Sequence, residues 1–118
     1  MISDEFKKKR VWFFGQLKQS GALTPELEQM VTEVYGDRGK RALEAIKHQC
    51  VVKRGRRWFV RGKADEYEVV RSFCTCWDYV FNIATGKAKV DMCYHALSKT
   101  ICELLNKYYV TESEEKKI

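Results

Sequence analysis

The amino-acid sequence predicts an α+β fold with N-terminal helices, a small antiparallel sheet of three to four strands and a C-terminal helix. Apolar residues recur at helical spacing over residues 1–49, short alternating runs begin at residue 50, and helical spacing returns near residue 94. The length of 118 residues, with 45% hydrophobic and 32% charged residues, suits a single globular domain.

The first helix is predicted over residues 4–20, where Phe6, Phe13 and Leu17 fall on one face and Ser20-Gly21 ends the helix. Val11, Trp12 and Phe14 widen this face. The aromatic residues of this helix are more than a single amphipathic helix needs to bury: Phe6, Trp12, Phe13 and Phe14. This surplus indicates a surface for a protein partner or for a second copy of the chain in a homodimer.

A second helix is predicted to begin at Thr24-Pro25-Glu26, where Thr suits the N-cap, Pro the first helical position and Glu the first turn. The glycine-rich stretch Gly36-Asp37-Arg38-Gly39 is expected to break this helix. A short third helix is then predicted from Lys40 to about Gln49.

The sheet is predicted from the alternating pattern that follows. Residues 50–54 and 57–61 form a hairpin around the turn Gly55-Arg56. Residues 67–73 form a third strand, and residues 78–83, with aromatic residues at alternate positions, form a fourth.

The last helix is predicted from about Tyr94 to Tyr109 and is followed by a polar tail. The chain is thus divided into a helical region (1–49), a ββα unit (50–110) and a tail (111–118). No apolar run approaches the roughly 18–20 residues that span a bilayer, and the N-terminus lacks a signal-peptide core. We therefore expect an intracellular protein of the cytoplasm or nucleoid, without a membrane partner.

Positive charge is concentrated in the middle of the chain. The 22 Lys and Arg and 16 Asp and Glu residues give a formal net charge of +6. From Arg38 to Lys63 there are ten basic residues, and Glu44 is the single acid. Clustered charge of one sign attracts phosphate groups, which favours contact with nucleic acid, and DNA in particular. A solubilising basic face is the alternative.

The most specific pattern is formed by cysteine and histidine. Cys74-Thr75-Cys76 is followed, after 16 residues, by Cys93-Tyr94-His95. Three thiolates and one imidazole are a closed tetrahedral ligand set for Zn²⁺, and sulfur ligands disfavour magnesium and calcium. The sequence predicts one structural zinc ion held by Cys74, Cys76, Cys93 and His95, which would pin the last helix to the sheet. A C-x-C redox pair is the alternative.

The remaining candidates are given structural roles. Cys50 and Cys102 are expected to pack as small hydrophobic residues, and His48 to lie at the C-terminal end of the third helix. Trp77 is expected to cover the metal.

The C-x-C-x16-C-x-H pattern resembles the signature of the SWIM zinc-binding domain over roughly residues 50–108, and residues 36–45 are similar to small archaeal members. This resemblance implies that the four motif residues bind zinc. It also implies a DNA-linked setting. Family members include recombination accessory factors that partner RecA-like recombinase paralogues, transposase-related proteins and chromatin remodellers.

The predicted hairpin offers a candidate nucleic-acid surface, because Arg57, Phe59 and Arg61 alternate onto one face of a strand. Arginine can bind phosphate through two nitrogen atoms, and a phenyl ring can stack on an unpaired base. The complete candidate surface comprises Lys53, Arg54, Arg56, Arg57, Phe59 and Arg61. Alternatively, Phe59 packs on the first helices and the arginines are solvated.

Two functions follow from these features. The first is a non-enzymatic, zinc-binding module that binds DNA or assists recombination and repair. The second is an adaptor that docks on a RecA-family recombinase paralogue without touching DNA. An enzyme is disfavoured, since the sequence has no H-E-x-x-H, no zinc-deaminase motif and no phosphate-binding Gly-x-x-x-x-Gly-Lys.

Overall fold

The computed structural model describes residues 2–109 and confirms the α+β fold class. Over this range the chain forms four α-helices, a three-stranded antiparallel sheet and one π-helical turn. In chain order the elements are α1 (Asp4–Ser20), α2 (Pro25–Tyr35), α3 (Asp37–Lys47), β1 (Val51–Arg54), β2 (Arg57–Arg61), β3 (Glu66–Val69), the π turn (Tyr79–Ile83) and α4 (Tyr94–Leu105).

The cap of α2 agrees with the sequence prediction, and α1 also begins with a capping residue. The hydroxyl of Ser3 accepts a hydrogen bond from the N–H of Phe6 at 3.1 Å, which satisfies one of the free donors at the start of α1. The hydroxyl of Thr24 does the same for the N–H of Leu27 at 3.2 Å, and Pro25 is the first residue of α2.

The break between α2 and α3 is shorter than predicted. Only Gly36, with φ of 64°, lies between the two helices, and α3 begins at Asp37 and ends at Lys47. A single residue with positive φ reverses the chain here, so Gly39 remains helical. A Cβ at Gly39 would lie 2.5 Å from the carbonyl oxygen of Val31, so glycine permits the close approach of α3 to α2.

The sheet has the order β1-β2-β3, with the hairpin turn at Gly55 and Arg56. The third strand ends at Val69, four residues before the predicted end. Val70 and Phe73 exchange two backbone hydrogen bonds of 3.1 and 2.9 Å around a tight turn, which stops the pairing with β2. This turn directs the chain away from the sheet just before Cys74.

The predicted strand over residues 78–83 is wrong, because these residues form the π turn. The backbone N–H of Tyr79 donates to the Sγ atom of Cys76 at 3.3 Å, and that of Val80 donates to the carbonyl of Cys76 at 3.1 Å. These bonds start a helical turn, in which backbone N–H groups find acceptors close in sequence. The alternating aromatic residues therefore do not form a strand with one face toward the core.

The last helix lies at the centre of the fold, in contact with α1, α3 and all three strands. Its inner residues Leu97 and Ile101 are fully buried. It ends at Leu105, four residues before the predicted boundary at Tyr109, because Asn106 takes a left-handed conformation with φ of 56°. Leu104, near the end of this helix, is 40% exposed.

Among the described residues, no helix combines the length and hydropathy that a membrane span requires. The predicted tail, residues 111–118, lies outside the described residues, and the division of the chain at residue 50 stays a prediction.

Gly39→Ala should lower the free energy of unfolding by about 1–3 kcal/mol, because the added methyl group meets the backbone of Val31. The matched control is Gly15→Ala in α1, where an added Cβ meets no atom within 4 Å and should stabilise the helix by up to about 1 kcal/mol. Urea denaturation measures both effects. Equal stability changes in the two variants would contradict the close packing of α2 on α3.

Candidate metal centre

The four predicted ligands converge at one buried point. Cys74 and Cys76 follow the tight turn after β3, whereas Cys93 and His95 lie at the start of α4. Their ligand atoms all lie within 4.8 Å of one another, and each residue is at most 6% exposed. Residues separated by up to 21 positions are therefore brought together in a cluster that can hold a metal ion.

The spacing of the ligand atoms suits a four-coordinate ion. Tetrahedral bonds of about 2.0–2.3 Å place neighbouring ligand atoms roughly 3.5–3.8 Å apart. The Sγ atom of Cys74 and the Nδ1 atom of His95 are 3.9 Å apart, close to that value. Shifts of about 1 Å or less would bring the whole set to tetrahedral geometry, so the residues present fit such an ion.

The backbone holds two of the sulfur atoms in place. Cys93 is the N-cap of α4, and its Sγ atom accepts a hydrogen bond from the N–H of Ala96 at 3.4 Å. The Sγ atom of Cys76 accepts from the N–H of Tyr79 at 3.3 Å. Hydrogen bonds of this kind favour the thiolate form, which is the form that binds metals.

The histidine ring is held by aromatic neighbours. The ring centroid of His95 is 4.0 Å from that of Tyr94 and 4.8 Å from that of Tyr67. Tyr67 belongs to β3 and His95 to α4, so this contact joins the sheet to the helix beside the ligand cluster. The ring is thereby oriented with Nδ1 toward Cys74.

The three thiols in contact favour a bound cation. A hydrogen bond with Cys76 raises the pKa of Cys74 to about 11, and a hydrogen bond with Cys74 raises the pKa of Cys93. The same contacts lower the pKa of Cys76, since its thiolate accepts from both neighbours. One thiolate is therefore stabilised by two neutral thiols, and a divalent ion would compensate the repulsion among three thiolates.

The cysteines and histidine outside the motif have the expected structural positions. Cys102 is buried on α4, and burial raises the pKa of its thiol to about 12. Cys50 is half-buried beside β1. His48 is the C-cap of α3 and pairs with Glu44 at 3.0 Å.

Two features beside the ligands differ from the sequence interpretation. Trp77 does not cover the metal position, because it is 68% exposed and its ring lies against Phe81 at 4.9 Å. Arg38, counted among the basic residues, binds both carboxylate oxygens of Asp78 at 2.8 and 2.7 Å and so ties α3 to the segment after Cys76. Forty positions separate the two partners of this pair, so no local signal in the sequence indicates it.

The candidate nucleic-acid residues are divided between the two faces of the sheet and its turn. Arg54, Arg57 and Arg61 share a face with Phe59, and the guanidinium groups of Arg54 and Arg57 lie 4.6 and 5.1 Å from its ring centroid. Lys53 lies on the opposite face, with its Nζ atom 5.3 Å from the ring centroid of Trp58. The remaining candidate, Arg56, is exposed in the hairpin turn.

Carboxylates of β3 face these arginines. Glu68 accepts from Arg57 at 2.8 and 2.9 Å, while Glu66 accepts from Arg54 and lies 3.7 Å from Arg61. Arg54 lowers the pKa of Glu66, and Arg57 lowers that of Glu68. The basic stretch counted to Lys63 ends just before these acids, so antiparallel pairing places two carboxylates opposite its arginines and offsets part of its charge.

Comparison with known proteins identifies one archaeal relative. A protein of Archaeoglobus fulgidus, described as an uncharacterized protein, is 34% identical to this chain over 83 residues, which cover 70% of this chain and 69% of the relative. No family model matches the chain. No solved structure matches it either.

Cys93→Ser should weaken metal binding by more than about tenfold, since it removes one of four ligands. Titration with Co²⁺ measures this loss, because thiolate-to-cobalt charge-transfer absorption reports sulfur ligation. Cys50→Ala is the matched control and should bind one Co²⁺ per chain as the wild type does. Equal absorption in Cys93→Ser and wild type would contradict the assignment of ligands.

Proposed function

We propose that this chain, which belongs to the same protein family as the Archaeoglobus fulgidus relative, is a non-enzymatic domain that is held together by one structural zinc ion and binds nucleic acid. The observation that carries the proposal is the buried cluster of three cysteines and one histidine. The donor set supports zinc as the metal, the four-ligand shell supports a non-catalytic role, and the basic hairpin face supports a nucleic-acid partner.

Zinc is favoured by the donor set. Soft sulfur ligands select zinc or iron–sulfur chemistry, and a single imidazole among three thiolates is typical of structural zinc. The resemblance of the C-x-C-x16-C-x-H pattern to the SWIM signature supports the same metal. Four protein ligands leave no open position for water or substrate, which is the reason to propose a structural and not a catalytic ion.

A structural role also suits the position of the cluster. The ligands join the segment after β3 to the first turn of α4, which is the central helix of the fold. Binding free energies of about 10–16 kcal/mol are reached by structural zinc in small peptides, comparable to the stability of a whole small domain. Removal of the ion is therefore expected to unfold the sheet and α4 together.

Nucleic acid is proposed to bind at the hairpin face formed by Arg54, Arg57, Phe59 and Arg61. Arg57 has a 65% exposed side chain, and the exposed Arg56 lies next to it in the turn. A phosphate group would compete with Glu68 for the guanidinium of Arg57. This competition is expected to weaken binding and to make it strongly dependent on salt concentration.

The test is a salt titration of oligonucleotide binding. The double variant R57A/R61A should reduce the slope of log affinity against log salt by about 1 for each lost phosphate contact, whereas Glu68→Gln should strengthen binding because it removes the competing carboxylate. Lys18→Ala, at the far end of α1, serves as the control with an unchanged slope. A wild-type slope in R57A/R61A would exclude the hairpin face.

An adaptor that docks on a protein, such as a RecA-family recombinase paralogue, is the second candidate. It is favoured by α1, where Val11 and Trp12 are 64% and 54% exposed on neighbouring positions. Exposed tryptophan is enriched at protein interfaces. Such a complex should survive high salt and nuclease treatment during co-purification and should be lost in Trp12→Ala. Loss of the partner on nuclease treatment would show bridging by nucleic acid instead.

A further inference from the structure

An exposed apolar cluster lies beside the metal centre and has no role in the proposals above. We call it the aromatic platform; it consists of Phe73, Trp77, Val80 and Phe81, which are 53%, 68%, 46% and 50% exposed. Contiguous exposed apolar surface usually marks a binding site in a folded protein.

Hydrogen bonds to neighbouring residues hold the backbone of the platform in place. Cys76 anchors the π turn through its Sγ atom and its carbonyl oxygen. Asp78 accepts from Arg38 of α3 and, at 2.8 Å, from the side-chain amide of Asn82. These bonds fix the backbone on both sides of Trp77, so its ring is exposed on an ordered support.

The two outer rings are in tilted contact with each other. The centroids of Trp77 and Phe81 are 4.9 Å apart with an interplanar angle of 37°, whereas Phe73 packs edge-on against Tyr79 at 5.1 Å. Since Trp77 is 68% exposed, much of its ring surface stays open after this contact. An open indole face beside a second ring is the geometry on which a flat base stacks.

A loop with two lysines follows the π turn and is bonded back to it, since the N–H of Ala88 donates to the carbonyl of Asn82 at 2.9 Å. The hydroxyl of Thr85 donates to the carbonyl of Phe81 at 2.9 Å and accepts from the N–H of Lys87 at 3.3 Å. Lys87 and Lys89 are exposed, and neither forms an ion pair with any residue from 2 to 109. These lysines therefore remain available to a phosphate, in contrast to the arginines that face Glu66 and Glu68.

The size of the platform argues for a nucleic acid in preference to a protein. Four side chains at these exposed fractions offer roughly 300–450 Å². A stable protein interface buries about 800 Å² per partner. One or two bases need far less area, and an adjacent pair of cations matches their phosphates.

From the exposed indole ring of Trp77 and the lysines of the loop bonded to the π turn we infer that the aromatic platform binds an unpaired base of single-stranded nucleic acid on Trp77, while Lys87 and Lys89 bind the adjoining phosphates. The inference rests on the proposed function, to which it adds a second site and a preference for unpaired strands.

The experiment compares the full-length metal-loaded wild type with Trp77→Ala, Trp77→Phe and Trp12→Ala. The probes are a labelled oligothymidylate and a labelled duplex of equal length, and binding is followed by fluorescence anisotropy. Trp77→Ala should weaken binding of the single strand by about 5- to 150-fold, the range for loss of one base–aromatic stack. Trp77→Phe keeps an aromatic face and should restore most of the affinity. Trp12→Ala removes another exposed tryptophan, 54% exposed on α1, and should change the affinity less than about 2-fold.

A double variant tests the lysines separately. K87A/K89A should reduce the salt slope for the single strand by about 0.7 for each lost phosphate contact. Circular dichroism and metal content, unchanged from the wild type, verify that each variant is folded.

The outcomes separate this inference from the proposed function. If the wild type binds neither probe, both this inference and the proposed nucleic-acid binding are wrong. If the wild type binds the single strand and Trp77→Ala has the same affinity as Trp12→Ala, the platform is not the binding site. The hairpin face then remains the proposed site. If Trp77→Ala loses the same affinity for the single strand and for the duplex, Trp77 does not stack on an unpaired base. If a protein co-purifies with the wild type but not with Trp77→Ala, and the two have the same affinity for oligonucleotides, the platform binds a protein partner instead.

Discussion

The rest of the structure depends on the convergence of two chain segments at the Cys74, Cys76, Cys93 and His95 cluster. Two of these residues shape the backbone as well as offering a ligand: Cys76 starts the π turn, and Cys93 caps α4. The tight turn after Val69 takes the next segment out of the sheet, so this segment is held by the ligand cluster together with the Arg38–Asp78 pair. The path of this segment and the start of the central helix are thus set at one point.

Long-range ion pairs determine where positive charge reaches the surface. A count of basic residues along the sequence overstates the positive field when acidic residues of a neighbouring strand lie opposite them, as Glu66 and Glu68 do here. Exposed pairs of this type contribute little to stability. Their effect is on recognition, because a partner must displace a carboxylate before it can use the guanidinium. Lys87 and Lys89, which form no ion pair within residues 2–109, carry no such penalty.

Features set by neighbours in sequence were predictable, and those set by tertiary contacts were not. The caps at Ser3 and Thr24 depend on residues three positions away, and the metal ligands form two tight sequence pairs. By contrast, the π turn replaces a strand because the Cys76 side chain supplies a competing hydrogen bond. The pairing of Arg38 with Asp78 and the exposure of Trp77 likewise depend on chain segments that local periodicity does not describe.

The return of the chain after α4 has a consequence for self-association. Tyr109 donates to the carbonyl of Val51 at 2.8 Å and accepts from the N–H of Lys53 at 3.0 Å, so it occupies the outer side of β1. An edge strand with free backbone donors and acceptors is a template for pairing with another chain, and proteins commonly cover such edges. This one residue therefore occupies backbone groups on the outer edge of β1 that a strand of another chain would need for pairing, while the opposite edge of the sheet is formed by β3, which carries Glu66 and Glu68.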